Sequence, residues 1–118
     1  MRNDPGFIAF VHELLEAAGS PSTRAMFGGH GVYLDGVFVG LIIDSRLYLK
    51  ADAQSEGEFI DAGCAPFVYD SPRRARVIEM SYYSVPDEAL DSPEQMLPWS
   101  RLALAAALRK KPQRPRRG

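Results

Sequence analysis

The chain has 118 residues, 46% of them apolar and 25% charged, with a formal net charge of −1 at pH 7. That is the size of one domain with one core, and the composition is globular rather than disordered or fibrous. Its single cysteine, Cys64, excludes an internal disulfide and a cysteine metal cluster, and no run approaches the roughly 18 apolar residues of a membrane span.

In chain order, Asn3 or Asp4 is placed to cap a helix with Pro5 at its first position, where a missing N–H costs nothing. Phe7, Ile8, Val11, Leu14, Leu15 and Ala18 recur at helical spacing, and Gly19 with Pro21 ends the helix. Thr23 to Phe27 predicts a short strand entering a Gly28-Gly29-His30-Gly31 turn. Asp35-Gly36 between two β-rich apolar runs predicts a two-residue type I′ hairpin. Alternation then assigns Val32, Leu34, Val37, Val39, Leu41 and Ile43 to a core face, with Tyr33, Phe38 and Ile42 in a second apolar row opposite. A three-residue loop, Asp44-Ser45-Arg46, keeps Leu47 and Leu49 on the core face and puts Tyr48 and Lys50 on the other, and is preferred for that reason; a two-residue loop would flip this register.

Asp52 to Ala62 predicts a second helix ending at Gly63. Pro66 to Tyr69 is a short strand, 70–76 a polar connection, and Val77 to Val85 the last strand, stopped by Pro86. Ser92, Pro93 and Gln95 form a helix start with a capping box. Pro98 is expected to divide this last segment into one helical turn and a second helix running to about Lys110. There Trp99, Ala103 and Ala106 project together, with Leu104 and Leu108 nearly opposite. The order α-β(4)-α-β(2)-α describes an α+β two-layer sandwich with an antiparallel sheet. Residues 1–108 form the domain and 109–118 a basic, flexible tail.

The glycine cluster invites a phosphate-binding reading. A dinucleotide loop needs a third glycine and a following helix, whereas Gly29-x-Gly31 runs into Tyr33, Leu34 and Asp35. A tight turn between strands accounts for it better. His12, His30 and Cys64 are the available catalytic parts, and no spacing joins them into a nucleophile–base pair or a metal set. The expectation is no enzyme, no cofactor and no metal.

Several segments together carry a resemblance: Arg24-Ala-Met26-Phe27-Gly28-Gly29-His-Gly31-Val-Tyr33, then Asp35-Gly36, then Arg46-Leu47-Tyr48-Leu49-Lys50. Phe67 and Tyr69, Tyr82 and Tyr83 with Pro86, and the Trp99 helix complete it. The pattern resembles the N-terminal domain of the TfoX/Sxy family, the regulators of DNA-uptake competence, and the chain reads as a stand-alone copy. The resemblance implies a fold similar to the secretion-chaperone-like sandwiches, which are often dimeric. It also implies a transcriptional co-activator type of function alongside the cyclic-AMP receptor protein, with no catalytic residues. The matching motifs are mainly structural in this reading.

Two surfaces are candidates for partners. Tyr33, Phe38, Ile42 and Tyr48, with Leu104 and Leu108, have the character of a protein interface, and a homodimer is expected. The competing account is that they cover one another within one protomer. Residues 109–118 carry six basic and no acidic residues, leaving eight basic against fifteen acidic in the rest. Arg109, Lys110, Lys111, Arg114, Arg116 and Arg117 are therefore candidate phosphate contacts of a non-specific kind, with Arg73, Arg74 and Arg76 as a second cluster. The preferred function is a regulatory or adaptor domain acting through protein contacts, with tail-driven nucleic-acid association as the alternative. The start of the chain lacks a signal peptide's pattern, so a cytoplasmic protein with no membrane partner is expected.

Overall fold

The computed structural model describes residues 4–26, 28–69 and 77–109. The elements run α1 (Pro5–Leu15), β1 (Pro21–Met26), β2 (Gly29–Leu34), β3 (Val37–Ile43), β4 (Arg46–Lys50), α2 (Glu56–Asp61), β5 (Pro66–Tyr69), β6 (Val77–Ser84), a 3-10 turn (Asp87–Leu90) and α3 (Pro93–Arg109). All strand pairs are antiparallel, in the order β1-β2-β3-β4-β6-β5. The chain is the α+β sandwich that its element order predicts.

Local chemistry accounts for most boundaries. The Asp4 carboxylate accepts the Gly6 N–H at 3.4 Å, and Pro5 opens α1. The helix closes at Leu15, three residues before the expected Ala18, and β1 begins at Pro21 rather than Thr23. The hairpin turn has Asp35 at φ 50° and Gly36 at φ 82°, both in the left-handed region that type I′ demands. Asp35 also ties this turn to the α1–β1 connection. Its N–H donates to the Ser20 carbonyl and its carboxylate accepts the Ser20 N–H, each at 2.9 Å. The Asp52 carboxylate caps the entry to α2 by accepting the Gln54 and Ser55 N–H groups, both at 3.1 Å.

Pro98 does not divide the last helix; α3 is continuous over 17 residues. Proline there removes only the donor for the Glu94 carbonyl, and both Glu94 and Pro98 lie on the exposed stripe, where solvent takes the orphaned acceptor. Met96, Ser100, Ala103 and Ala106 form the buried stripe. α3 packs on α1, β3 and β4. The core between helices and sheet gathers Val11, Leu14 and Leu15 of α1 with Val32, Leu34, Ile42, Leu47, Leu49, Phe59, Tyr83 and Met96.

Candidate functional site

The candidate site is the sheet face turned away from the helices, and a bulge in β3 decides which side chains reach it. Leu34 pairs with Val37 and Tyr33 with Phe38, but Val32 pairs with Gly40, so Val39 is the extra residue. Each residue after it turns to the opposite face. Ile42 pairs with Leu47, is fully buried and belongs to the core, not to the second apolar row. Leu41, expected in the core, instead pairs with Gly31 and Tyr48 and stands apart from the core cluster. The next turn is also shorter than expected. Asp44 and Ser45 alone make it, at φ 53° and 55°, and Ile43 pairs with Arg46. Leu47 and Leu49 still face the core, and Tyr48 the other side.

The outer face carries a belt of aromatic rings. Tyr33 on β2 lies 5.3 Å from Phe38 on β3, and Phe38 lies 6.2 Å from Tyr82 on β6. Tyr48 on β4 lies 5.0 Å from Phe67 on β5. All five are half-buried. Every contact is tilted or edge-to-face, the arrangement ring quadrupoles favour. From β2 to β5 the belt crosses four strand spacings, about 19 Å.

Cations accompany the rings. Exposed Arg24 places its guanidinium 5.5 Å from the centre of Tyr33. The Lys50 ammonium lies 4.9 Å from the centre of Tyr82, on a side chain only 8% exposed. Alternation puts exposed Arg46 on the same face as Tyr48 and Lys50. Among the side chains described, the acidic ones lie elsewhere: Asp35 and Asp44 in the hairpin turns, the others in or beside the helices. In the strands, Glu79 of β6 stands at the register position opposite Phe67.

Close approach explains two glycines of the motif. Gly29 and Gly31 lie inside β2 rather than in a turn, and only Gly28 takes a positive φ, 79°. A Cβ on Gly31 would stand 2.7 Å from Met26 Cε and 2.9 Å from Phe38 Cε1. Its missing side chain is what lets these two groups meet above β2.

The dispersed catalytic parts stay apart. His12 Nε2 is 3.4 Å from Thr23 Oγ1 at the β1 edge. His30 sits on β2, three strand spacings (about 14 Å) from β6, whose Ser84 lines a cleft with Cys64. Burial pushes the Cys64 thiol up, and the Glu88 charge adds to this against a lowering hydrogen bond from Ser84. Such a thiol is a poor nucleophile at neutral pH. That cleft, of about 340 Å³, and a neighbouring one of about 320 Å³ lined by Trp99 and Gln95 share Glu88. Among the described residues no three His, Cys, Asp or Glu side chains gather to hold a metal ion, and no helix is long and apolar enough to cross a membrane.

The other predicted contact residues are scattered. Leu104 is half-buried and Leu108 is 59% exposed, both on α3. Arg109 is not part of a loose tail: it closes α3 and forms a bidentate pair with Asp52, Nε to Oδ2 at 2.7 Å and Nη2 to Oδ1 at 2.9 Å. Phe27, Arg73, Arg74, Arg76, Lys110, Lys111, Arg114, Arg116 and Arg117 lie outside the described residues, as does the side chain of Tyr69. Pattern reading missed Leu41 and Arg46 on the outer face. The available signal was Gly40, a glycine inside an apolar strand, which often marks a bulge.

Over 91 residues the chain is 26% identical to the DNA transformation protein TfoX1 of Aliivibrio fischeri, an alignment covering 77% of this chain and 41% of that protein. The chain thus spans about two-fifths of the relative's length. Residues 13–107 match the TfoX N-terminal domain family, from the second half of α1 to near the end of α3. With four-fifths of its length inside that match, the chain belongs to the TfoX N-terminal domain family.

Proposed function

We propose that the chain is a non-catalytic, competence-type regulatory domain that acts by contact with a protein of the transcription apparatus. The observation that carries this reading is the family match over residues 13–107, together with a relative named as a DNA transformation protein. The geometry is in keeping with it. The chemistry-bearing side chains are dispersed, His12 on α1, His30 on β2 and Cys64 between α2 and β5, while the helix layer offers apolar groups to a partner. On α1, Phe10 is 37% exposed with its ring 6.2 Å from that of Phe7, and on α3 Leu108 is more exposed still. Large exposed side chains of this kind are the usual anchors of protein contacts.

The test is transcript measurement after overproducing the chain in its own cell, beside a Phe10→Asp/Leu108→Asp variant that leaves the sheet face untouched. A defined set of transcripts, including DNA-uptake genes, is expected to rise with the native chain and not with the variant. Unchanged transcripts with the native chain would overturn the regulatory reading. An equal response to both would remove the helix layer as the contact.

A further inference from the structure

We propose that the outer face of the sheet is a stacking platform for single-stranded DNA. This goes beyond the regulatory reading and uses a different surface. Three observations converge on it. First, five rings from five strands stand on one face in two contacting groups, Tyr33–Phe38–Tyr82 and Tyr48–Phe67, and no described helix covers that side of the sheet. Unpaired bases stack on such rings whatever their identity, because every base has a π-face. Second, exposed Arg24 and Arg46 stand on β1 and β4 of the same face, where a backbone crossing the strands would bring its phosphates. Third, the acidic side chains described are confined to turns and helices, and in the strands Glu79, at the register position opposite Phe67, is the one acidic residue to set against Arg24, Arg46 and Lys50 on this face.

The same geometry selects among nucleic acids. A duplex keeps its base faces inside its own stack and would meet the belt only with its sugar–phosphate edge. A single strand lays its bases flat on the rings, and the belt of about 19 Å has room for a handful of them. Stacking on rings and pairing of phosphates with arginines do not require the ribose 2′-hydroxyl, the group by which proteins tell RNA from DNA, so DNA is the strand proposed and the oligo-rU probe tests that choice.

Fluorescence anisotropy on the full chain tests this with three labelled probes: a twelve-nucleotide oligo-dT, the matching oligo-rU, and a twelve-base-pair duplex, each over a salt series. Oligo-dT is expected to bind tightest. The Tyr33→Leu/Tyr48→Leu variant keeps the face apolar and should weaken oligo-dT binding at least tenfold. Arg24→Ala/Arg46→Ala should weaken it less and reduce the salt slope by about 1.4, at roughly 0.7 for each phosphate no longer neutralised. A full-length variant with Lys110, Lys111, Arg114, Arg116 and Arg117 all changed to Gln should retain the response to the tyrosine substitutions. Circular dichroism melts establish that each variant folds.

Four results would overturn the proposal: duplex binding as tight as oligo-dT, tighter binding of oligo-rU, loss of binding only in the tail variant, or no binding by the native chain at low salt. A fifth is a dimer by light scattering that Phe38→Glu converts to a monomer, since a second copy would then cover the belt. In each case the transcript response can still stand, so the two readings fail separately.

Discussion

Tyr83 stacks on Phe59 with ring centres 5.6 Å apart and planes inclined by 23°, both side chains at most 1% exposed. The hydroxyl of Tyr83 donates to Glu56 Oε1 at 3.4 Å, and Phe59 in turn meets Trp99 at 5.1 Å. This contact joins β6 to α2 and α3, so the helix layer and the sheet share one aromatic joint. Burial first, then the charge and hydrogen bond of Glu56, push the phenol above its ordinary value of 10.0. The neutral form is the one the fold favours. Its contribution is complete below pH 10.0 and declines as pH rises beyond it. Tyr83→Phe is expected to cost about 1 kcal/mol or less at neutral pH and to flatten the alkaline decline, as followed by urea titrations. An unchanged decline would show that Tyr83 does not titrate with unfolding.

The β3 bulge has a mutational signature. Ile42→Ala removes a fully buried core side chain and should cost about 2–4 kcal/mol. Half-buried Ile43, on the outer face, should cost less than half as much when cut to Ala. A regular, unbulged strand would reverse that order. Urea unfolding of the two variants decides the register directly.

Gly31→Ala places a methyl group against Met26 and Phe38. It should destabilise the domain by roughly 1–3 kcal/mol through overpacking. Removing the opposing side chain relieves the conflict, so Gly31→Ala/Met26→Ala should lose less than the sum of the two single changes. Strict additivity would mean that the two positions do not touch.

Asp52 and Arg109 couple the end of α3 to the α2 cap. The guanidinium hydrogen bond is the largest influence on Asp52 and, with help from Ser55, holds its carboxyl well below the ordinary 3.8. The lowered value means a contribution present above pH 3.8 and lost as pH falls beneath it. Arg109→Gln should therefore make the loss of stability between about pH 4 and pH 2 shallower than in the native chain. Thermal melts at stepped pH check the slope, and equal slopes would leave the pair without energetic weight.

Pro98 lies within a continuous helix at the cost of one backbone hydrogen bond. Pro98→Ala restores the donor to the Glu94 carbonyl and should raise stability by about 1–3 kcal/mol. A lower melting temperature would instead mean that proline braces the start of α3.

These residues also show how far the sequence was legible. The hairpin at Asp35-Gly36 was, because its turn chemistry is strict and Gly36 is its sign. The assignment of Leu47 and Leu49 to the core was right for two reasons that cancel: β3 contains one residue more than a regular strand, and the following turn one fewer than expected. Neither was readable from alternation. Val37 to Ile43 is apolar apart from Gly40, so the run offers no phase against which a slip can be seen. Asp44-Ser45 has no glycine to announce a two-residue turn, although both residues adopt positive φ. The aromatic belt was half visible: Tyr33, Phe38 and Tyr48 fell together by parity. Phe67 and Tyr82 joined them only through the insertion of β6 between β4 and β5, a long-range pairing that no local pattern encodes.

Both margins of the sheet begin with proline, Pro21 in β1 and Pro66 in β5. Proline has no N–H to offer an incoming strand, and these margins are only six and four residues long. Lateral growth of the sheet into a ladder of neighbouring molecules is thereby discouraged at each side. A domain guarded in this way can keep a broad greasy surface open at high cellular concentration without polymerising through its backbone.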